Sequence, residues 1–499
     1  MKKFNTTGLC IPSRHYMVDI KNRVHQIISL IDEGEYFTIN RPRQYGKTTV
    51  MNEIRKAISD TYYVIDLSFE GKGDTYFSSE KNFCSGFYSD ICRLLSVSGT
   101  SAETFDILSE RITEICKTSD KPVVLLIDEV DKSSDNQIFL HFLGMLRSKY
   151  IDSMKELDFT FKSVILAGVY DIKNLKLKLR PDDEKKRNSP WNIAADFDID
   201  MSFNSEDIAT MLTEFESDSQ TGMNINEVSQ EIFENTGGYP FLVSRLCQII
   251  QKNHFSWDRQ GVQQAVKTIL GEQNTLFDDI YKNIKNHSDF SKLVENIIIN
   301  GEEVPFTYYD DAIQLGVTFG ILCNSQNMVK VSNRIFETLL YNIYISQNRR
   351  SELSCERSQF INNGKLDMER VLMKFQELME CEYRSGDGSF IERQGRLLFL
   401  CFLKPIINGT GSYFVEPETR SNTRMDIVVA YGGEEHIIEL KIWHGERKHK
   451  DAYNQLTGYM NNRGQRKGYL VSFSFNKDKE YTAGWVDFDG KGSIFDVIV

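Results

Sequence analysis

Asp426, Glu439 and Lys441 lie on two short apolar runs, Met425–Tyr431 and Glu434–Ile442, that flank Gly432-Gly433. β-Branched runs on either side of two glycines predict a hairpin. With the glycines as the turn, Tyr431 pairs with Glu434 and, counting outward, Asp426 pairs with Glu439. Opposed residues share a face with Cβ atoms about 4.5–5.5 Å apart, and alternation along the strand adds Lys441 to that face. Two opposed carboxylates repel unless something compensates them. Mg²⁺ does so, since it takes one or two carboxylates together with water and phosphate oxygens. The lysine would then orient an attacking water or stabilise charge on phosphorus. Charges on the solvated face of an ordinary hairpin give the same pattern, and Glu434-Glu435 could lengthen the turn.

The helix that follows adds to this set. Gln455 and Tyr459 stand at i,i+4 and so share one helix face. With these residues in place, the segment resembles the RecB-like members of the PD-(D/E)XK nuclease superfamily over residues 366–499. The resemblance implies that Asp426 and Glu439 hold metal, that Lys441 assists the water, and that Gln455 and Tyr459 lie beside a DNA backbone. It also matches Glu392, which opens the preceding apolar helix, to the family's additional acidic position. Met425 stands where the family name has proline.

A second constellation lies near the N-terminus. Val24, Ile27, Ile28 and Ile31 predict an amphipathic helix over residues 21–33, ended by Gly34, and Tyr36–Ile39 predicts a strand. The strand feeds Arg41-Pro42-Arg43-Gln44-Tyr45-Gly46-Lys47-Thr48, which enters a helix through Thr49. Strand, loop, Gly-Lys-Thr and helix make a P-loop layout. Backbone N–H groups cradle phosphates, Lys47 reaches the β and γ oxygens, and Thr48 holds Mg²⁺. Arg41 occupies the position of the motif's first glycine. The apolar run Val123–Ile127 ends in Asp128-Glu129 and reads as a strand buried on both faces of a parallel sheet. Asp128 would coordinate Mg²⁺ through water and Glu129 would activate the hydrolytic water. Arg41 and Arg43 either add positive charge beside the phosphates or form surface ion pairs.

Further strands are expected at Tyr62–Ser68, Phe161–Gly168 and Asp196–Met201, giving a doubly wound α/β sheet. The loop, the Leu125–Glu129 strand end and Ser189–Ala194 resemble a bacterial AAA-ATPase-like family, whose members carry this P-loop domain fused to a C-terminal PD-(D/E)XK domain. The resemblance implies ATP and Mg²⁺ as cofactors, nucleic acid, DNA foremost, as partner, and a homo-oligomer as one possible assembly. Thr236–Phe241 is similar to the Gly-x-Pro element of STAND-type ATPases, and equally reads as a plain helix start with Pro240 in its first turn.

The expected organisation is a P-loop domain over residues 1–202, a helical lid over 203–285, a winged-helix-like region over 286–345, a linker over 346–365 and the nuclease-like α/β domain over 366–499. The wing is expected as Phe319–Cys323 and Met328–Val331 around a four-residue turn, after a helix at Tyr309–Gly316. That helix carries Asp310 and Asp311 and no Lys or Arg, which favours packing between domains over a DNA groove. A net charge of −12 argues against a protein that coats nucleic acid nonspecifically. Nine scattered cysteines without Cys-x-x-Cys and eight histidines without a ligand pattern predict no disulfide framework or structural zinc. Met1-Lys2-Lys3 is followed by polar residues and no apolar run reaches the about 18 residues a membrane span needs, so no secretory leader and a soluble cytoplasmic protein are expected. An ATP-regulated nuclease is the leading expectation. A STAND-like signalling ATPase with a latent or non-catalytic C-terminal domain is the alternative.

Overall fold

The computed structural model describes residues 2–133, 137–169, 191–300, 302–347, 357–382, 392–407, 411–415, 427–443, 445–475, 480–488 and 492–499. Two compact units emerge, one of Met1–Phe233, Gly238–Ala265 and Thr318–Gly320, the other of Glu234–Gly237, Val266–Val317 and Ile321–Val499.

In the first unit Lys3–Phe4 (β1) pairs in parallel with His15–Tyr16 (β2). Val24, Ile27 and Ile31 are buried on one side of Lys21–Glu33 (α1), and Gly34 ends the helix at φ 84°, a left-handed conformation that glycine adopts without a Cβ penalty. Then follow Tyr36–Asn40 (β3), Lys47–Ile58 (α2), Tyr63–Ser68 (β4), Glu80–Leu95 (α3), Phe105–Thr118 (α4), Val123–Asp128 (β5), Gln137–Met154 (α5) and Ser163–Gly168 (β6). The sheet runs β3-β6-β5-β4 with every pair parallel. Both β5 and β6 are buried at each residue, because helices cover both faces. Val124 and Leu126 join Val24, Ile27, Val50 and Ile54 of α1 and α2. Val123, Leu125 and Ile127, pointing the other way, join Phe83, Leu108 and Phe142 of α3, α4 and α5.

Asp196–Met201, expected as a further strand, forms no ladder; Ala195 alone bridges Phe37. Arginine side chains take carbonyls along this segment. Arg41 donates to Ile199 O at 2.8 Å, and Arg23 donates to Asp200 O at 2.8 Å and Ser202 O at 2.7 Å. Phe197 stacks on Phe37 with ring centroids 5.8 Å apart.

Five helices follow: Ser205–Ser219 (α6), Ile225–Thr236 (α7), Pro240–Asn253 (α8), Arg259–Leu270 (α9) and Thr275–Asn286 (α10). Asn204 and Asp207 form a capping box at the first, and Pro240 sits in the first turn of α8. The second unit continues with Ser288–Glu295 (α11), Asp311–Thr318 (α12), Leu322–Ser325 (β7), Met328–Val331 (β8) and Arg334–Gln347 (α13). Helix α12 starts two residues later than expected because Asp310 caps it, its Oδ1 accepting from the backbone of Ala312 and Ile313. The turn between β7 and β8 has two residues rather than the expected four. Gln326 and Asn327 both adopt positive φ, 52° and 63°, the geometry that matches strand twist.

Residues 348–356 of the expected linker lie outside the described residues, and its end forms the small hairpin Ile361–Asn362 (β9) and Lys365–Leu366 (β10). Next come Met368–Glu382 (α14), Glu392–Ile407 (α15), Ser412–Val415 (β11), Ile427–Tyr431 (β12), Glu434–Ile442 (β13), Glu446–Asn462 (α16), Lys467–Phe473 (β14), Ala483–Asp487 (β15) and Ser493–Ile498 (β16). The sheet order is β11-β12-β13-β14-β16-β15. β13 is the pivot, antiparallel to β12 and parallel to β14. Helix α16 covers one face, where Leu456, Tyr459 and Met460 meet Val428, Ile437, Leu470 and Ile494. On the other face Phe473 packs against Phe375 of α14 at 6.3 Å, and a Cβ on Gly395 of α15 would stand 2.3 Å from its ring. Among the described residues no helix is long and apolar enough to cross a membrane.

Candidate functional site

The loop between β3 and α2 is shaped by backbone geometry first. Gln44 and Gly46 both take positive φ, 57° and 81°, which turns the chain into the helix. Lys47 is only 6% exposed, and its ammonium folds back to donate to Arg41 O at 2.8 Å and Pro42 O at 2.9 Å. Burial lowers its pKa, while Glu129, Asp131 and Asp128 oppose that shift. Thr48 Oγ1 donates to Asp128 Oδ2 at 2.8 Å, and the backbone N–H of Glu129 donates to Asp128 Oδ1 at 2.9 Å. The strand end and the helix start are thereby tied through two oxygen-bearing side chains. A hydroxyl and a carboxylate of this kind are the hard donors that suit Mg²⁺.

Glu129 holds φ at 57°, an uncommon conformation for a residue with a side chain and one that clusters at functional sites. Burial raises its carboxyl pKa, with Asp128 adding to the effect. Asp131 belongs to the same acidic group and was not singled out from the sequence, although Asp-Glu-x-Asp is legible there. Its Oδ2 accepts from the backbone of Val169 at 2.6 Å.

The other loop residues have structural partners. Arg41 donates from its backbone to Gly168 O at 3.1 Å. Its guanidinium donates to Asn40 O and Ile199 O and lies 5.2 Å from the Phe197 ring centroid. Arg43 O accepts from the Tyr239 hydroxyl at 2.6 Å. Tyr45 meets Tyr239 edge to face at 4.8 Å. Pro42 abuts Gly320, where a Cβ would stand 2.6 Å from the proline Cγ. Thr49 Oγ1 accepts from the backbone of Cys10 at 3.2 Å.

In the C-terminal sheet, Gly432 and Gly433 at φ 58° and 83° make the turn. Tyr431 then pairs with Glu434 and Ile427 with Ile438. Asp426, the next position, lies outside the described residues, and Glu392 opens α15 with its side chain outside them. Glu439 is 1% exposed, with Lys441 Nζ 3.0 Å from its Oε1. On α16 the Gln455 amide donates to the Tyr459 hydroxyl. The side chains brought together are thus Glu439 with Lys441, and Gln455 with Tyr459. Among the described residues no group of three or more metal-ligating side chains occurs.

No curated protein matches this chain. Solved structures similar to it include a Walker-type ATPase of Pyrococcus abyssi, at 10% identity and a TM-score of 0.47, covering 68% of this chain and 99% of that one. The ORC2 protein of Aeropyrum pernix matches at 10% identity and a TM-score of 0.41, covering 69% and 97%. The RuvB branch migration motor of Thermotoga maritima matches at 12% identity and a TM-score of 0.32, covering 64% and 93%. The model of the AAA-like domain matches residues 10–346, more than half of the sequence, and the chain belongs to that family.

Proposed function

We propose that this protein is an ATP-binding P-loop ATPase whose C-terminal domain hydrolyses phosphodiester bonds in nucleic acid, with DNA as the first substrate to test. One observation carries the nuclease half: Glu439, buried on the central strand, has the Lys441 ammonium 3.0 Å from its carboxylate, beneath the helix that pairs Gln455 with Tyr459. The order helix, three antiparallel strands, helix, parallel strand across α15, β11–β13, α16 and β14 agrees with it.

In the ATPase half, the first N–H groups of α2 and the Lys47 ammonium receive the phosphates. Lys47 exchanges its bonds to Arg41 O and Pro42 O for phosphate oxygens. Glu129, with its raised pKa, accepts a proton from the attacking water. Thr48 and Asp128 would hold Mg²⁺ here, and it would neutralise phosphate charge. In the C-terminal half, Glu439 and Asp426 would hold Mg²⁺ and Lys441 orients the water, while Gln455 and Tyr459 position the nucleic-acid backbone and Glu392 supplies an additional acid. Domain bounds at residues 202, 285, 345 and 365 belong to the same proposal.

Purified protein incubated with labelled plasmid, linear DNA and RNA, with and without Mg²⁺ and ATP, tests this reading. Glu439→Ala is expected to lose cutting and keep ATP hydrolysis, and Lys47→Ala to weaken ATP binding. Cutting retained by Glu439→Ala overturns the nuclease assignment. The bond from Tyr239 to the P-loop carbonyl of Arg43 favours a second reading, a signalling ATPase whose lid responds to nucleotide. A nucleotide-dependent change in oligomeric state without any cutting would select it.

A further inference from the structure

Four polar side chains on the α16 face of the C-terminal sheet belong to neither motif set. His449 Nε2 lies 2.7 Å from Asp496 Oδ2, and the Tyr453 hydroxyl donates to the same oxygen at 2.6 Å. Ser472 Oγ lies 3.3 Å from His449 Nδ1, and the Trp443 ring lies against the imidazole, tilted by 55° with centroids 4.6 Å apart. The side chains of His449 and Asp496 are 11% and 12% exposed, and Ser472 is fully buried. A buried polar group costs stability unless it is partnered, so a network of this size within the sheet is a specific construction.

Its place bears on the proposed hydrolytic pair. Ser472 is the ladder partner of Lys441 across β13 and β14, and Asp496 is the partner of Leu470 across β14 and β16. Trp443 follows Lys441 by two residues and extends the ladder by donating to Phe473 O at 2.8 Å. Alternation puts Glu439, Lys441 and Trp443 in one row, and His449 touches the end of that row while belonging to the helix that carries Gln455 and Tyr459. Both imidazole nitrogens have partners within the network. Its geometry serves position.

We propose that Asp496, His449 and Tyr453 form a positioning network that seats the start of α16 against the ends of β13 and β14 and so keeps Lys441 in register beside Glu439. This inference rests on the nuclease reading. The exposed Arg447, Lys448 and Lys450 of α16 take no part in the network, so the step it governs is turnover rather than capture of a polyanion.

The test compares full-length Asp496→Asn, Tyr453→Phe, His449→Gln and His449→Ala with wild type. It measures kcat and KM on labelled DNA with Mg²⁺, and thermal unfolding of each variant. Asp496→Asn is expected to lower kcat at least about tenfold with KM within about twofold, because a displacement of about 1 Å at a reacting group costs up to a hundredfold. His449→Gln keeps a donor and an acceptor and is expected to recover part of the loss seen in His449→Ala. Tyr453→Phe preserves the ring and its packing, so it keeps the test open if Asp496→Asn does not fold. Its kcat is expected to fall without a matching loss of folded protein. Wild-type cutting that Glu439→Ala abolishes but Asp496→Asn and Tyr453→Phe leave unchanged overturns this inference alone. A wild type that cuts nothing overturns it together with the nuclease reading. A lower melting temperature with unchanged kcat per folded molecule also overturns it, since that is the signature of a brace with no bearing on the chemistry.

Discussion

Gly320→Ala combines two separable costs. Gly320 sits at φ 69°, and a Cβ there would meet Pro42 Cγ at 2.6 Å, Pro42 Cβ at 3.2 Å and Tyr239 Cε2 at 3.3 Å. Left-handed backbone costs an L-residue about 1–2 kcal/mol. Carbon atoms rest about 3.5–4.0 Å apart, so the proline contact must open by roughly 1 Å, and overpacking of this kind costs about 1–3 kcal/mol. The sum is about 2–5 kcal/mol. At about 2–4 °C per kcal/mol for a unit of some 150–250 residues, the melting temperature should fall by about 4–20 °C. Gly222→Ala isolates the backbone cost, since Gly222 lies at φ 77° with nothing within 4 Å of its Cβ position. Scanning calorimetry of both variants, of Pro42→Ala and of Gly320→Ala combined with Pro42→Ala gives the coupling directly. The double variant should recover part of the loss because the nearest clashing atom is gone. If Gly320→Ala melts with Gly222→Ala, or Pro42→Ala restores nothing, the contact has no energetic weight.

Three further outcomes follow from local geometry. The Glu129 carboxyl titrates above its ordinary value of 4.5, so its ionised form destabilises the fold at neutral pH, and that cost disappears as pH falls through the raised value. Glu129→Gln should therefore melt higher than wild type near pH 7 without nucleotide, the gap closing toward pH 4.5, while ATP hydrolysis is lost; a gap that widens on acidification contradicts this. Lys47→Met should weaken binding of a fluorescent ATP analogue by about ten- to a hundredfold, the value of one charge-assisted bond, as measured by anisotropy. Asp310→Ala removes the cap of α12 and should cost about 0.5–2 kcal/mol in chemical unfolding.

Legibility in the sequence followed the range over which each feature is determined. Gly432-Gly433 and the alternating runs fix a register locally, because a slip of one residue would turn every side chain over. Ile427 accordingly stands opposite Ile438. Val123–Asp128 reads as a doubly buried strand from composition alone, and Gly34 reads as a helix stop. The failures are long-range. Residues 196–201 have strand-like composition, yet Arg23 and Arg41, more than 150 positions earlier, take their carbonyls. The place of Asp131 is not legible in the sequence because it depends on where β6 ends beside it. His449 and Asp496 are 47 residues apart, and only the strand order β14-β16-β15 joins them, which no periodicity reveals.

Lys47 has consequences for kinetics as well as affinity. With its ammonium donating to the carbonyls of Arg41 and Pro42, the loop itself competes with a triphosphate for that cation. Loading therefore includes an internal release event that nucleotide concentration cannot hasten, and the observed association rate should level off at a plateau set by how often the loop lets go.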